Sequence, residues 1–205
     1  MGGMNESTLL SSKRQRAIEA GGRIFQRFGF AQATMGDIAH AAGMSRPALY
    51  QLFPGKEEVF EAVVARWSED SLGRIGAGLA ACSTLGEKLR FACEIWCVEG
   101  LERALANPDV RDMTGLPAVR KSYARFEACL TEILRVAAER SGLGVAAGDL
   151  ARVIVSAMQG FKQTARSGEE MRHLIAVQIL AIERALASEE QVCADAPVQA
   201  SPTRN

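Results

Sequence analysis

The chain has 205 residues, 48% of them hydrophobic. A chain of this size buries roughly 70% of its unfolded surface, so a true core is expected. Its 24 Lys/Arg balance its 24 Asp/Glu, which taken whole argues against a nucleic-acid partner. No signal-peptide run is visible and no stretch approaches about 18 consecutive apolar residues, so a cytoplasmic protein with no membrane partner is expected.

The charge is unevenly distributed. Residues 1–56 hold seven Lys/Arg against three Asp/Glu, and residues 57–205 hold 17 against 21. A basic head on an acidic body suits a protein that meets DNA with one end. The five cysteines, Cys82, Cys93, Cys97, Cys129 and Cys193, are odd in number and widely spaced, so reduced thiols are expected.

The elements follow in chain order. Residues 1–11 are expected to be a disordered tail. A first helix over about 12–28 presents Ile18, Ile24, Phe25 and Phe28, and Gly29 ends it. Gly21-Gly22 inside it conflicts with helix propensity, and a close approach by a later helix explains one of the two. A second helix begins at Thr34, with Asp37 completing a capping box, and a third at Ser45, with Pro47 tolerated in its first turn. A fourth follows Gly55, with Glu57 and Glu58 in its positive first turn, and runs toward Leu79. A fifth begins at the Thr84/Glu87 capping box, and residues 108–116 read as a short helix or loop. Further helices cover about 117–140, 148–166 and 169–187, and residues from 188 read as a polar tail. Period-two alternation is almost absent, so the fold class is all-α, with about nine helices and no sheet.

Residues 34–56 carry the clearest chemistry. Ile38, Ala39 and Ala42 face inward, Gly43 supplies a left-handed turn, Met44 plugs it, and Leu49, Leu52 and Phe53 anchor the next helix. That leaves Arg46, Pro47, Ala48, Tyr50 and Gln51 for the outer side. This is the layout of a helix-turn-helix DNA reader. Arg46 in the first turn can bond guanine O6 and N7, and Pro47 and Ala48 can meet a thymine methyl. Tyr50 offers a hydroxyl to phosphate, Gln51 can reach base or backbone, and Lys56 heads a helix whose amides suit phosphate.

These residues, with Ile24-Phe25, Gly29-Phe30, Phe53-Pro54, Lys56-Glu57-Glu58 and Phe60, closely resemble the N-terminal domain of TetR/AcrR-family transcriptional regulators over about residues 12–62. The resemblance implies an all-α homodimer with a three-helix DNA head over 12–60 and an effector-binding and dimerisation domain over 61–187. Carried over by position, it makes Thr34, Ser45, Tyr50 and Lys56 phosphate contacts and Arg46, Pro47 and Ala48 base readers, with Gln51 as a further DNA contact. Two positions depart from the family pattern: Gly21-Gly22, and Gly55 where a polar cap is commoner.

The body contains no catalytic constellation, so no enzyme activity, cofactor or metal is expected. His40 and His173 are far apart in sequence and read as surface residues. Cys93, Trp96, Cys97, Met113, Phe126, Cys129, Met158 and Phe161 are soft or aromatic groups that can wall a pocket for an apolar or aromatic effector, or simply pack the core. Cys93 and Cys97, one helical turn apart, are candidates for thiol or metal sensing. Arg120, Lys121 and Lys162 read as solvated cations with a weaker claim to an acidic effector. The final two helices, about 148–187, carry apolar residues on more than one side, which suits a four-helix bundle between two subunits. The function expected is a homodimeric repressor released from a palindromic operator by a small molecule. The alternatives are an activator or global DNA binder with the same head, and a helical enzyme or carrier with a vestigial head.

Overall fold

Prolines and caps set the helix boundaries. The computed structural model describes residues 6–106, 113 and 115–194, and within them eight α-helices and one 3₁₀ turn, with no strand among the described residues. They are α1 (Glu6–Gln32), α2 (Met35–Ala41), α3 (Arg46–Leu52), α4 (Lys56–Gly78), α5 (Leu85–Ala106), α6 (Pro117–Ser141), α7 (Ala147–Thr164) and α8 (Gly168–Ala194), with the 3₁₀ turn at Leu79–Ala81 after α4.

Two expectations about the ends need correction. Residues 6–11, taken as tail, already belong to α1, and α8 continues past 187 to Ala194. The short segment expected at 108–116 lies largely outside the described residues. The helix over 12–28 breaks where expected, at Gly29 with φ 72°, although one more turn follows it. Both capping boxes are present. Asp37 N–H donates to Thr34 Oγ1 at 3.2 Å and Thr34 N–H to Asp37 Oδ2 at 3.1 Å. The Thr84/Glu87 pair repeats the pattern at 3.0 and 3.1 Å.

The helices enclose two apolar cores. The head core gathers Ala17, Phe25, Ile38, Leu49, Phe53, Val59, Phe60 and Val63 from α1 to α4. Phe28 does not join it; its side chain is exposed, with the Arg27 guanidinium 5.0 Å above the ring. The body core takes Leu89, Cys93 and Cys97 from α5, Phe126, Leu130 and Leu134 from α6, Ile154 and Met158 from α7, and Met171, Ile175 and Ile179 from α8. Helix α6 packs along α7 and α5 along α8, while α4 lies against both α1 and α6.

No linker separates the cores. The boundary expected at residue 60 falls inside α4, whose Val63 and Val64 still belong to the head. The start of α6 reaches back to the head core through Leu116, Ala118 and Val119. One of the paired glycines is explained by this packing. A Cβ on Gly21 would stand 2.7 Å from Val59 Cγ1, whereas one on Gly22 would make only ordinary contacts with Trp67 and Val63. Gly21 thus lets α1 and α4 approach closely, and Gly22 has no such role.

Candidate functional site

The turn between α2 and α3 is built by short-range chemistry. Gly43 takes φ 63°, a conformation that side-chain-bearing residues resist. Met44 N–H then reaches back to Ala39 O at 3.0 Å, and Ser45 Oγ accepts from Ala48 N–H at 3.3 Å to start α3. Leu49 and Phe53 are buried, so the helix is pinned by one side. Arg46, Pro47, Tyr50 and Gln51 lie on its exposed side, Ala48 is half-buried, and Tyr50 is 47% exposed despite its aromatic ring. Thr34 and Ser45 are exposed at the N-termini of α2 and α3. The Arg46 guanidinium lies beside Gly36, where a Cβ would be 3.8 Å from Nε.

Three head cations have a second role that was not read from the sequence. Arg14 Nη1 donates to Leu52 O at the end of α3 at 3.0 Å, with its guanidinium 4.2 Å over the Phe53 ring. Arg23 donates to Ala41 O at the end of α2 at 3.3 Å. Lys56 Nζ donates to Phe30 O at 2.9 Å and Ala31 O at 3.3 Å, and sits 4.5 Å over the Phe30 ring. Each places positive charge where terminal carbonyls lack helical partners. Lys56 is therefore a structural tie as well as a candidate phosphate contact. Gly55 caps α4 without a side-chain hydrogen bond.

A cavity of about 190 Å³ opens between head and body. From the head side it is lined by Gln26 and Phe60, along α4 by Val64, Trp67, Ser68 and Ser71, and beyond them by Trp96, Met113, Tyr123 and Lys162. Of the eight expected ligand residues, the structure brings only Trp96 and Met113 to this wall. Cys93, Cys97, Phe126 and Met158 are fully buried in the body core, and the half-buried Cys129 and Phe161 pack against that core. Trp96 stacks on Phe126 at 4.5 Å, so Phe126 supports the wall from behind.

Lys162 stands at the cavity rather than on a solvated face. Its Nζ is 5.4 Å from the centre of the Tyr123 ring. Burial raises the Tyr123 phenol above its ordinary range, and the ammonium partly offsets this. Periodicity within one helix could not show that Lys162, Trp67 and Tyr123 meet, because they converge from three different helices.

The two thiols named for sensing, Cys93 and Cys97, are sealed inside the body core. Burial pushes the Cys97 thiol up to about 11 and the Cys93 thiol well above its usual range. Thiols sealed in apolar surroundings are poor nucleophiles. No group of three or more potential metal ligands occurs among the described residues. His40 and His173 are exposed on separate helices. No described helix is long and apolar enough to cross a membrane.

Residues 17–63 match a family model described as "Bacterial regulatory proteins, tetR family". That segment is a TetR-family N-terminal domain. Over 82 residues it is 32% identical to the HTH-type transcriptional activator FasR of Mycolicibacterium smegmatis, a match spanning 40% of this chain and 37% of that protein. It is also similar to the HTH-type nicotine-responsive transcriptional repressor HdnoR of Paenarthrobacter nicotinovorans. That match is 24% identical over 168 residues, covering 72% of this chain and 80% of that protein. A TetR-family regulator structure from Mesorhizobium loti superposes with a TM-score of 0.63 at 19% identity, over 84% of this chain and 95% of that one. Structural likeness at this identity establishes the fold. The TetR-family head is thus the segment whose geometry was most legible in the sequence.

Proposed function

We propose that this chain is a homodimeric repressor of the TetR family that reads a palindromic operator through α3 and is released by a small apolar or aromatic effector. The outward face of α3 carries this reading. Arg46, Pro47, Tyr50 and Gln51 are exposed on a helix whose other side is locked by Leu49 and Phe53. In this reading Arg46, Pro47 and Ala48 meet base edges with help from Gln51, and Thr34, Ser45, Tyr50 and Lys56 hold phosphates.

Dimerisation is supported by α7 and α8. Val153, Val177 and Leu180 are 58%, 53% and 51% exposed, so both helices offer apolar surface to a second copy. Release is supported by α4, which contributes Val59 and Val63 to the head core and Trp67, Ser68 and Ser71 to the cavity. A ligand that binds one setting of α4 more tightly than another shifts the spacing of the two heads. Repression is favoured over activation because HdnoR, whose similarity extends into the body, is named a repressor, whereas the similarity to the activator FasR spans only 82 residues.

The test is a footprint followed by affinity measurements on the selected operator. A discrete palindrome is expected, with Tyr50→Phe and Lys56→Ala weakening all sequences and Arg46→Ala also relaxing base preference. Equal affinity of wild type and all three variants would sink the DNA-reading assignment. Uniform coverage would favour a global binder. A promoter carrying the operator should gain activity when the gene is deleted; a loss would mark an activator.

A further inference from the structure

The side chain of Arg46 takes a course that depends on a residue of the preceding helix. Its Cα is fixed relative to α2 by the turn. Gly43 at φ 63° and the bond from Met44 N–H to Ala39 O at 3.0 Å set how the two helices meet. Ser45 Oγ accepts from Ala48 N–H and Ser45 O from Leu49 N–H, so the first turn of α3 is closed at Arg46. From there the guanidinium reaches back to Gly36, the second residue of α2. A Cβ on Gly36 would meet Arg46 Nε at 3.8 Å and Cζ at 3.9 Å.

Gly36 therefore supplies room. A single Cβ fits there at ordinary contact distance, but side-chain atoms beyond it would enter the space that the guanidinium holds. The polar groups nearby are already engaged with one another. Thr34 Oγ1 donates to Asp37 Oδ2 at 2.5 Å and accepts from Asp37 N–H at 3.2 Å, and Thr34 N–H donates to the same Oδ2 at 3.1 Å. Among the described residues the Arg46 guanidinium has no hydrogen bond or ion pair, so its donors stay available. Holding a long exposed side chain against one surface before DNA arrives lowers the ordering cost of binding.

Building on the reading of α3 as the operator-reading helix, we propose that Gly36 is a positioning residue for Arg46. The bare surface of α2 at Gly36 seats the guanidinium and so sets the base pair that Arg46 reads. Sequence preference is thereby shared between α2 and α3, although Gly36 has no side chain to offer a base.

The full chain is tested against operators changed one base pair at a time, so each protein yields a profile of preference along the site. Arg46→Ala first identifies the pair that the guanidinium reads. Gly36→Ala should keep the wild-type profile. Gly36→Leu should flatten preference at that pair by about tenfold, with the rest of the profile and the circular dichroism unchanged. In an Arg46→Ala background, Gly36→Leu should change nothing further. Gly36→Met, unbranched and a good helix former, should act as Gly36→Leu does, and it decides the matter if the leucine variant loses helical signal. Full preference at that pair in these variants would overturn the proposal. So would a loss spread evenly along the operator, or a further loss in the Arg46→Ala background. An Arg46→Ala profile equal to wild type removes the base-reading role of Arg46, and the proposal with it. A flattened profile in Arg46→Ala beside an intact one in Gly36→Leu removes this proposal alone.

Discussion

The head and the body use their charges differently. In the head, Arg14, Arg23 and Lys56 close the carbonyl ends of α3, α2 and α1. In the body, cations meet carboxylates: Arg74 with Glu99 at 2.6 Å, Arg172 with Glu102 at 3.3 Å and Arg152 with Glu127 at 3.5 Å. Most of these groups are half-exposed, and such pairs contribute about 0.2–1 kcal/mol each. The head's excess of cations is thus partly a device for holding three short-range helix junctions, while the body's charges largely compensate one another. A basic segment is not simply a count of groups waiting for phosphate.

The largest expected effect separates the two cores. Phe53→Ala should cost the head about 3–5 kcal/mol, because its ring is buried beneath Arg14. Hydrogen exchange should show α1 to α3 opening while α5 to α8 stay protected. Equal loss of protection throughout would mean that the cores are one cooperative unit. Next, Arg46→Ala should remove about 1–3 kcal/mol of base discrimination with little change in melting temperature. Lys56→Ala should lower both operator affinity and melting temperature, since Nζ ties α4 to the end of α1. An unchanged melting temperature would show the tie to be without weight.

The paired glycines give a smaller and opposite pair of effects. Gly21→Ala should destabilise by about 1–3 kcal/mol through the clash with Val59. Gly22→Ala should stabilise by up to about 1 kcal/mol through helix propensity. Thermal denaturation reads both signs, and two destabilisations would mean that Gly22 also serves a close approach. Smallest of all, Lys121→Met breaks an exposed pair with Glu61 between α6 and α4. It should cost less than about 1 kcal/mol, because the junction rests on Phe60, Val64, Leu116 and Val119.

The same contrast explains what could be read in advance. Thr34 and Asp37, Gly43, and Ser45 with Ala48 are separated by a few residues, so spacing alone dictates their geometry. The four-residue spacing of Leu89, Cys93 and Cys97 likewise puts them on one helical face, and all are buried. It could not say which face meets a core and which a cavity. Trp96 and Cys93 are three residues apart on α5, yet one lines the cavity and the other is sealed from it. That choice depends on where α4, α6 and α7 cross α5, which is set by side chains far away in sequence. Lys162 was misread for the same reason. Its neighbours on α7 say nothing of Gly100 or Tyr123.

The capping arginines carry a consequence for ionic strength. Binding to DNA releases counterions, and the logarithm of affinity falls with the logarithm of salt by about 0.9 for each phosphate neutralised. Residues 1–56 contain seven cations, but the guanidinium groups of Arg14 and Arg23 are held on carbonyls within the fold rather than turned toward a phosphate. The head should therefore respond to salt less steeply than its formal charge suggests, and retain more of its grip as the medium becomes more concentrated.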